Sequence, residues 1–101
     1  MYRAKREENL REAAKAGNVD SVRKLIEEGI DINAADSDGQ KSLHGAAKNG
    51  HKEVVELLLA RGATVDATDK GGNTPLLSAA GSGKVEVVEL LLAQGARPDM
   101  A

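Results

Sequence analysis

A serine hydroxyl beside an imidazole can become a nucleophile, and an alanine-rich helix around Ser78 would lie one helix over from the helix carrying His44. The rest of a hydrolase is missing. No strained nucleophile elbow, no carboxylate placed to orient the imidazole and no convergent oxyanion donors can be read around either residue. His51 directly follows Gly50 and is expected to help begin a helix rather than to catalyse. With two histidines and no cysteine, a zinc site would have to be completed by carboxylates, so no metal is expected. The glycines of "DKGGNTP" lack the Gly-Lys-Ser/Thr ending and the preceding strand of a phosphate loop. The chain is therefore expected to be no enzyme and to need no cofactor.

The composition narrows the partners. Lys and Arg number 14 against 16 Asp and Glu, the net charge is −2, and Tyr2 is the single aromatic residue. Nucleic acid is a poor fit, because its binders carry a basic face and aromatic platforms. No apolar run approaches the roughly 20 residues of a membrane helix, and the charged start "MYRAKREENLRE" has no signal-peptide core. A soluble, unprocessed chain is expected, with its compartment left open by a composition that has no cysteine. At 101 residues it should form one domain.

Positioning falls to a repeat. Leu10, Leu43 and Leu76 recur every 33 residues, as do Gly17, Gly50 and Gly83. The same step carries Ala13-Ala14 onto Ala46-Ala47 and Ala79-Ala80, Val22 onto Val55 and Val88, and Leu25 onto Leu58 and Leu91. Within each unit a short alanine-rich helix stopped by glycine precedes a second helix that is apolar most of the way round. A loop of turn formers then leads to the next unit, where Thr74 can cap a helix that begins at Pro75. The spacing predicts inner helices near 8–16, 42–49 and 75–82 and outer helices near 19–28, 52–61 and 85–94.

The segments "GQKSLHGAAKNGHKEVVELLLARGA" and "GNTPLLSAAGSGKVEVVELLLAQGA" resemble ankyrin repeats, and the resemblance covers essentially the whole chain. It implies an all-α solenoid of three helix-turn-helix units, about 5–36, 37–69 and 70–101, joined by hairpin-like loops. It further implies recognition of another protein through the concave face of loops and inner helices. The near-identity of "KEVVELLLARGA" and "KVEVVELLLAQGA" also fits an engineered repeat protein.

Three departures from the family pattern carry the site expectations. Ser21 and Lys24 stand where Val54 and Leu57 stand in the second unit, which gives the first unit a polar outer flank. No such change occurs at the other end. Val88 and Leu92, spaced i,i+4 on one helix face, are expected to face water or a second copy together with Leu91 and Met100, giving a homodimer as the alternative function. Gly45, Ser78, Gly81 and Ser82 form a trough of small residues on the inner helices. Its polar rim would be Ser37, Asp38, Gln40, Lys48, Asn49, Lys70 and Asn73. Finally, Lys41-Ser42-Leu43-His44 replaces the family's Thr-Pro-Leu-His. His44 resembles the histidine that ties one loop to the next, but Lys41 offers it no acceptor, so partial exposure is expected.

Overall fold

The computed structural model describes residues 2–98, and the side chains of residues 4–98. Six helices follow in order: α1 (Tyr2–Ala16), α2 (Val19–Glu27), α3 (Ser42–Lys48), α4 (Lys52–Ala60), α5 (Pro75–Gly81) and α6 (Val85–Ala93). No strand occurs among the described residues, and none of their helices is long and apolar enough to cross a membrane. The helix bounds agree with the spacing to within one residue except at α1, which starts at Tyr2 instead of near residue 8. Its first two turns carry charges at helical spacing, and Lys5 bonds Glu8 at 3.1 Å.

The helices form antiparallel pairs, α1/α2, α3/α4 and α5/α6, stacked in two layers. The inner layer is α1, α3 and α5, and the outer layer is α2, α4 and α6, in a body of 37 × 25 × 20 Å. Alanine faces alanine in the inner layer: Ala14, Ala46, Ala47 and Ala79 are all fully buried. Valine and leucine hold the outer helices further apart, so the stack curves and its inner side becomes concave.

Each pair ends its inner helix with a glycine in the left-handed region, such as Gly50 at φ +74°. The chain can then reverse within three residues into the outer helix. The Gly50 N–H bonds the Ala47 carbonyl at 3.1 Å and the His51 N–H bonds that of Ala46 at 2.9 Å, which satisfies the helix end.

The core is continuous across pairs. Leu10, Leu43, Leu58 and Leu91 fill the space between inner and outer helices, while Val54 and Val87 close the gap to the preceding pair. The two flanks of the stack differ as the sequence suggests. Ser21 and Lys24, at the register of Val54 and Leu57, leave the first flank polar. At the far flank Ala80 is exposed although Ala14 and Ala47 are fully buried, and Val88 is half-buried although Val22 and Val55 are fully buried. Leu92 is 43% exposed and Val85, at the start of α6, 65% exposed.

One expected member of that open flank does not belong to it. Leu91 is fully buried at the register of fully buried Leu58, in the core where α6 packs on α5 and α4. Met100 lies outside the described residues. Leu91→Ala should therefore destabilise the fold by about 2–5 kcal/mol and Leu92→Ala by less than about 1 kcal/mol, read as the shift of the urea midpoint by circular dichroism. Equal effects would contradict this division of α6.

Candidate partner-binding face

The loops that project beside the inner helices are built by one device used twice. Asp36 Oδ1 accepts the N–H groups of Asp38 (2.8 Å) and Gln40 (2.9 Å), and Asp69 Oδ1 those of Gly71 and Asn73 (both 2.9 Å). A backbone bond closes each hairpin, from Asp36 N–H to Gln40 O at 2.9 Å and from Asp69 N–H to Asn73 O at 3.0 Å. The two hairpins then join. The Lys70 N–H donates to Asp38 O at 3.0 Å, and Gln40 Nε2 donates to Asp69 Oδ2. Gly39 sits at φ +79°, and a β-carbon on it would lie 2.9 Å from the Lys70 nitrogen, so both conformation and contact demand glycine.

His44 fastens this hairpin row to the helices. It is fully buried, contrary to the exposure expected of it. Lys41 indeed offers no side-chain acceptor, but the imidazole reverses the relation: Nδ1 accepts the Lys41 backbone N–H at 3.0 Å. That assigns the proton to Nε2, which donates to Asn73 O at 2.9 Å and so binds the second hairpin to α3. The Lys41 ammonium meanwhile donates to Gly39 O and Thr68 O at 3.2 and 3.4 Å. The other histidine begins α4 as expected: His51 is its N-cap residue, and its carbonyl accepts the Val55 N–H at 3.0 Å. His51 does not cap α4 with its side chain; its Nε2 bonds Lys15 O at 2.9 Å, beside Asn49 Nδ2 at 2.8 Å, locking the α3–α4 turn to the end of α1.

These locks shape a groove of about 540 Å³ between the hairpin row and the inner helices. Asp38, Gln40, Lys48, Asn73, Ser78, Gly81 and Ser82, all expected there, line it together. A smaller recess of about 120 Å³ opens beside it where α1 meets α3, and takes in Gly45 and Asn49. Ser37 and Lys70 line neither and stand exposed on the hairpins. Gly45 is not an open trough floor. A β-carbon on it would lie in ordinary van der Waals contact with Lys15, 3.4 Å from its β-carbon, so the position is covered by α1. Gly81, by contrast, has open space around it.

Sequence reasoning missed Lys15, Asp36 and Leu77 in the groove and Arg11 and Lys41 in the recess. The repeat itself held the signal for two of them, since Lys15 shares the register of Lys48 and Gly81, and Asp36 that of Asp69. It also missed a larger concavity of about 670 Å³ on the outer flank of the first pair, where Arg6 pairs with Glu28 at 2.8 Å. That hollow lies on the flank that Ser21 and Lys24 make polar.

Catalysis finds no support in the geometry. Both ring nitrogens of His44 are committed to backbone groups, leaving none to take a proton from Ser78.

Burial holds the His44 imidazole below its ordinary value of 6.5, against the opposing pull of Asn73 O and Asp69. The unfolded chain therefore takes up a proton near pH 6.5 that the fold refuses, so this contribution is complete above that pH and is lost as pH falls below it. The Asn73 backbone N–H and further hydrogen bonds hold Asp69 below 3.8, which places its own loss in a separate, more acidic window. The urea midpoint should fall on acidification through pH 6.5, and His44→Gln should remove that slope. A midpoint that rises over this range would reverse the assignment.

Comparison with families of known proteins matches residues 10–101 to the family model for ankyrin repeats in three copies. Among curated proteins no match is found. Ankyrin repeats are in general non-enzymatic modules of protein–protein interaction. With the 33-residue register, the stacked helix pairs and the hairpin row all in place, the matched residues show that this chain belongs to the ankyrin repeat family.

Proposed function

We propose that this protein binds a partner protein through the concave face formed by its hairpins and inner helices, with no cofactor and no chemical step. The observation that carries the reading is a preformed groove of about 540 Å³ whose wall is fixed by buried and bridging hydrogen bonds. Little ordering would remain for binding to cost, and that is how a modest surface gains affinity. Ser78, Gly81 and Ser82 add room for a partner's side chain, with Leu77 half-buried beside them. A photo-crosslinking residue at position 78 should give a discrete protein adduct that Gly81→Arg abolishes without changing the circular dichroism spectrum. The same crosslinker at Glu56, exposed on α4, should give none. Adducts from position 56 alone would place the binding face on the outer helices and overturn the reading.

A second reading is supported by the far flank, where exposed Ala80 and Leu92 and half-buried Val88 repeat positions that the next pair covers elsewhere in the stack. A second copy could cover them about a two-fold axis, and an engineered chain would serve such self-association. Head-to-tail stacking is disfavoured, because the opposite flank presents Ser21 and Lys24 where packing needs Val and Leu. Sedimentation should then show a concentration-dependent dimer that Leu92→Glu dissociates. A monomer at high concentration, unaltered by that substitution, would rule it out.

A further inference from the structure

The concave face is not electrically neutral along its length. Arg11, Lys15, Lys41 and Lys48 converge on the recess of about 120 Å³ between α1 and α3, against the single carboxylate of Asp36. This concentration of positive charge occurs in a chain whose net charge is −2. Asp36 is already occupied in part, since its Oδ1 accepts two backbone N–H groups of its own hairpin. The three ion pairs among the described residues, Lys5–Glu8, Arg6–Glu28 and Arg23–Asp20, all lie elsewhere.

Two of the four cations are held by carbonyl oxygens, which fix their heads without cancelling their charge. Arg11 Nη1 donates to Ala34 O at 3.4 Å, and Lys41 Nζ to Gly39 O and Thr68 O. Lys15 and Lys48 form no ion pair among the described residues and are exposed, and both line the groove as well as the recess. Lys15 packs over Gly45, and with Arg11, Lys41 and Lys48 it lines one recess whose charge an anionic guest would complement.

We infer that the segment bound by this face is an acidic peptide, whose Glu or Asp carboxylate enters the recess while an aliphatic side chain occupies the neutral bay by Leu77 and Gly81. This rests on the concave face being the binding surface. A nucleic-acid backbone does not suit it: a continuous phosphate chain along the groove would run against Asp36 and Asp38 on the hairpin wall, and no stacking aromatic lines it. A carboxylate on a side chain reaches the recess from one point. Recess and bay are one helix apart, about 8–10 Å by ordinary helix packing, which a peptide in the polyproline II conformation spans in about three residues with both side chains on one face.

The probe follows from that spacing. A labelled peptide Leu-Gly-Ser-Glu-Glu-Gly-Ser-Leu offers the same separation of acid and leucine in either chain direction, and its counterpart with Lys for Glu is the control. On titration into the nitrogen-15 labelled full chain, the acidic peptide should shift the amides of Lys15, Gly45, Lys48 and Asn49. The lysine peptide should not. Lys15→Glu with Lys48→Glu should weaken binding about tenfold or more while the helical spectrum persists, and raising salt from about 50 to about 500 mM should weaken it too. Equal binding of the lysine peptide, indifference to the double reversal, or no shift with the acidic peptide at millimolar concentration would each overturn the acidic class and leave the concave face standing. Shifts confined to α2, α4 and α6 would instead remove the concave face itself.

Discussion

No helix pair in this protein has an interior that it completes alone. Val22 and Val55 are fully buried only because the next pair lies over them, and the same position in the last pair, Val88, is half in water. Burying a valine side chain is worth about 1.5–3 kcal/mol, comparable with the backbone entropy of ordering one or two residues. A single pair therefore falls short, and stability accumulates by contact between neighbours. Everything else follows from keeping successive pairs in register. A shift by one residue would turn Val55 out of the interface and bring Glu56 into it.

The polar links obey the same register, which is why they add to the stack. Thr64 N–H donates to Asn33 Oδ1 at 3.0 Å, and one repeat later Arg97 N–H donates to Asp66 Oδ1 at 3.1 Å. The helix starts show how different residues answer one local demand. In the third unit Thr74 caps α5 through its bond from the Leu77 N–H at 3.2 Å, and Pro75 supplies a preset first turn. In the second, Lys41 cannot accept, so His44 takes the Lys41 N–H, and Ser42 in the position of Pro75 leaves a buried hydroxyl with no partner. The unit keeps the histidine bridge between its loops and gives up part of the cap.

The elements were legible in the sequence because their signals are local and repeated: glycine after each inner helix, alanine pairs within it, an apolar run after it. The flank assignment within α6 was only partly legible. Val87, Val88, Leu90, Leu91 and Leu92 surround the helix almost completely, so composition does not say which of them looks outward; only comparison with Leu58 and Val55 in the structure separates Leu91 from Val88. The burial of His44 is not legible from side-chain acceptors alone, because the donor its ring meets is the backbone N–H of Lys41. The basic recess was hidden for a topological reason. Arg11, Lys15, Lys41 and Lys48 come from two units and a hairpin, and no window of sequence holds them all.

That concentration of charge is best understood through the rigidity around it. In a flexible chain, four cations would separate and each would keep its own hydration. Here the end of α1 is held by two donors from the next unit, Asn49 and His51, both on the Lys15 carbonyl. Lys41 is held by the carbonyls of Gly39 and Thr68, and Lys15 of α1 packs over Gly45 of α3. The fold thus fixes the backbone beneath these side chains while leaving two ammonium groups free to meet a ligand. Exposed single ion pairs contribute little, typically 0–1 kcal/mol, because each must first order two long side chains. Only Arg11 and Lys41, whose heads carbonyl oxygens already hold, avoid part of that entropy, and under the proposed reading their charges would discriminate between partners better than scattered surface lysines.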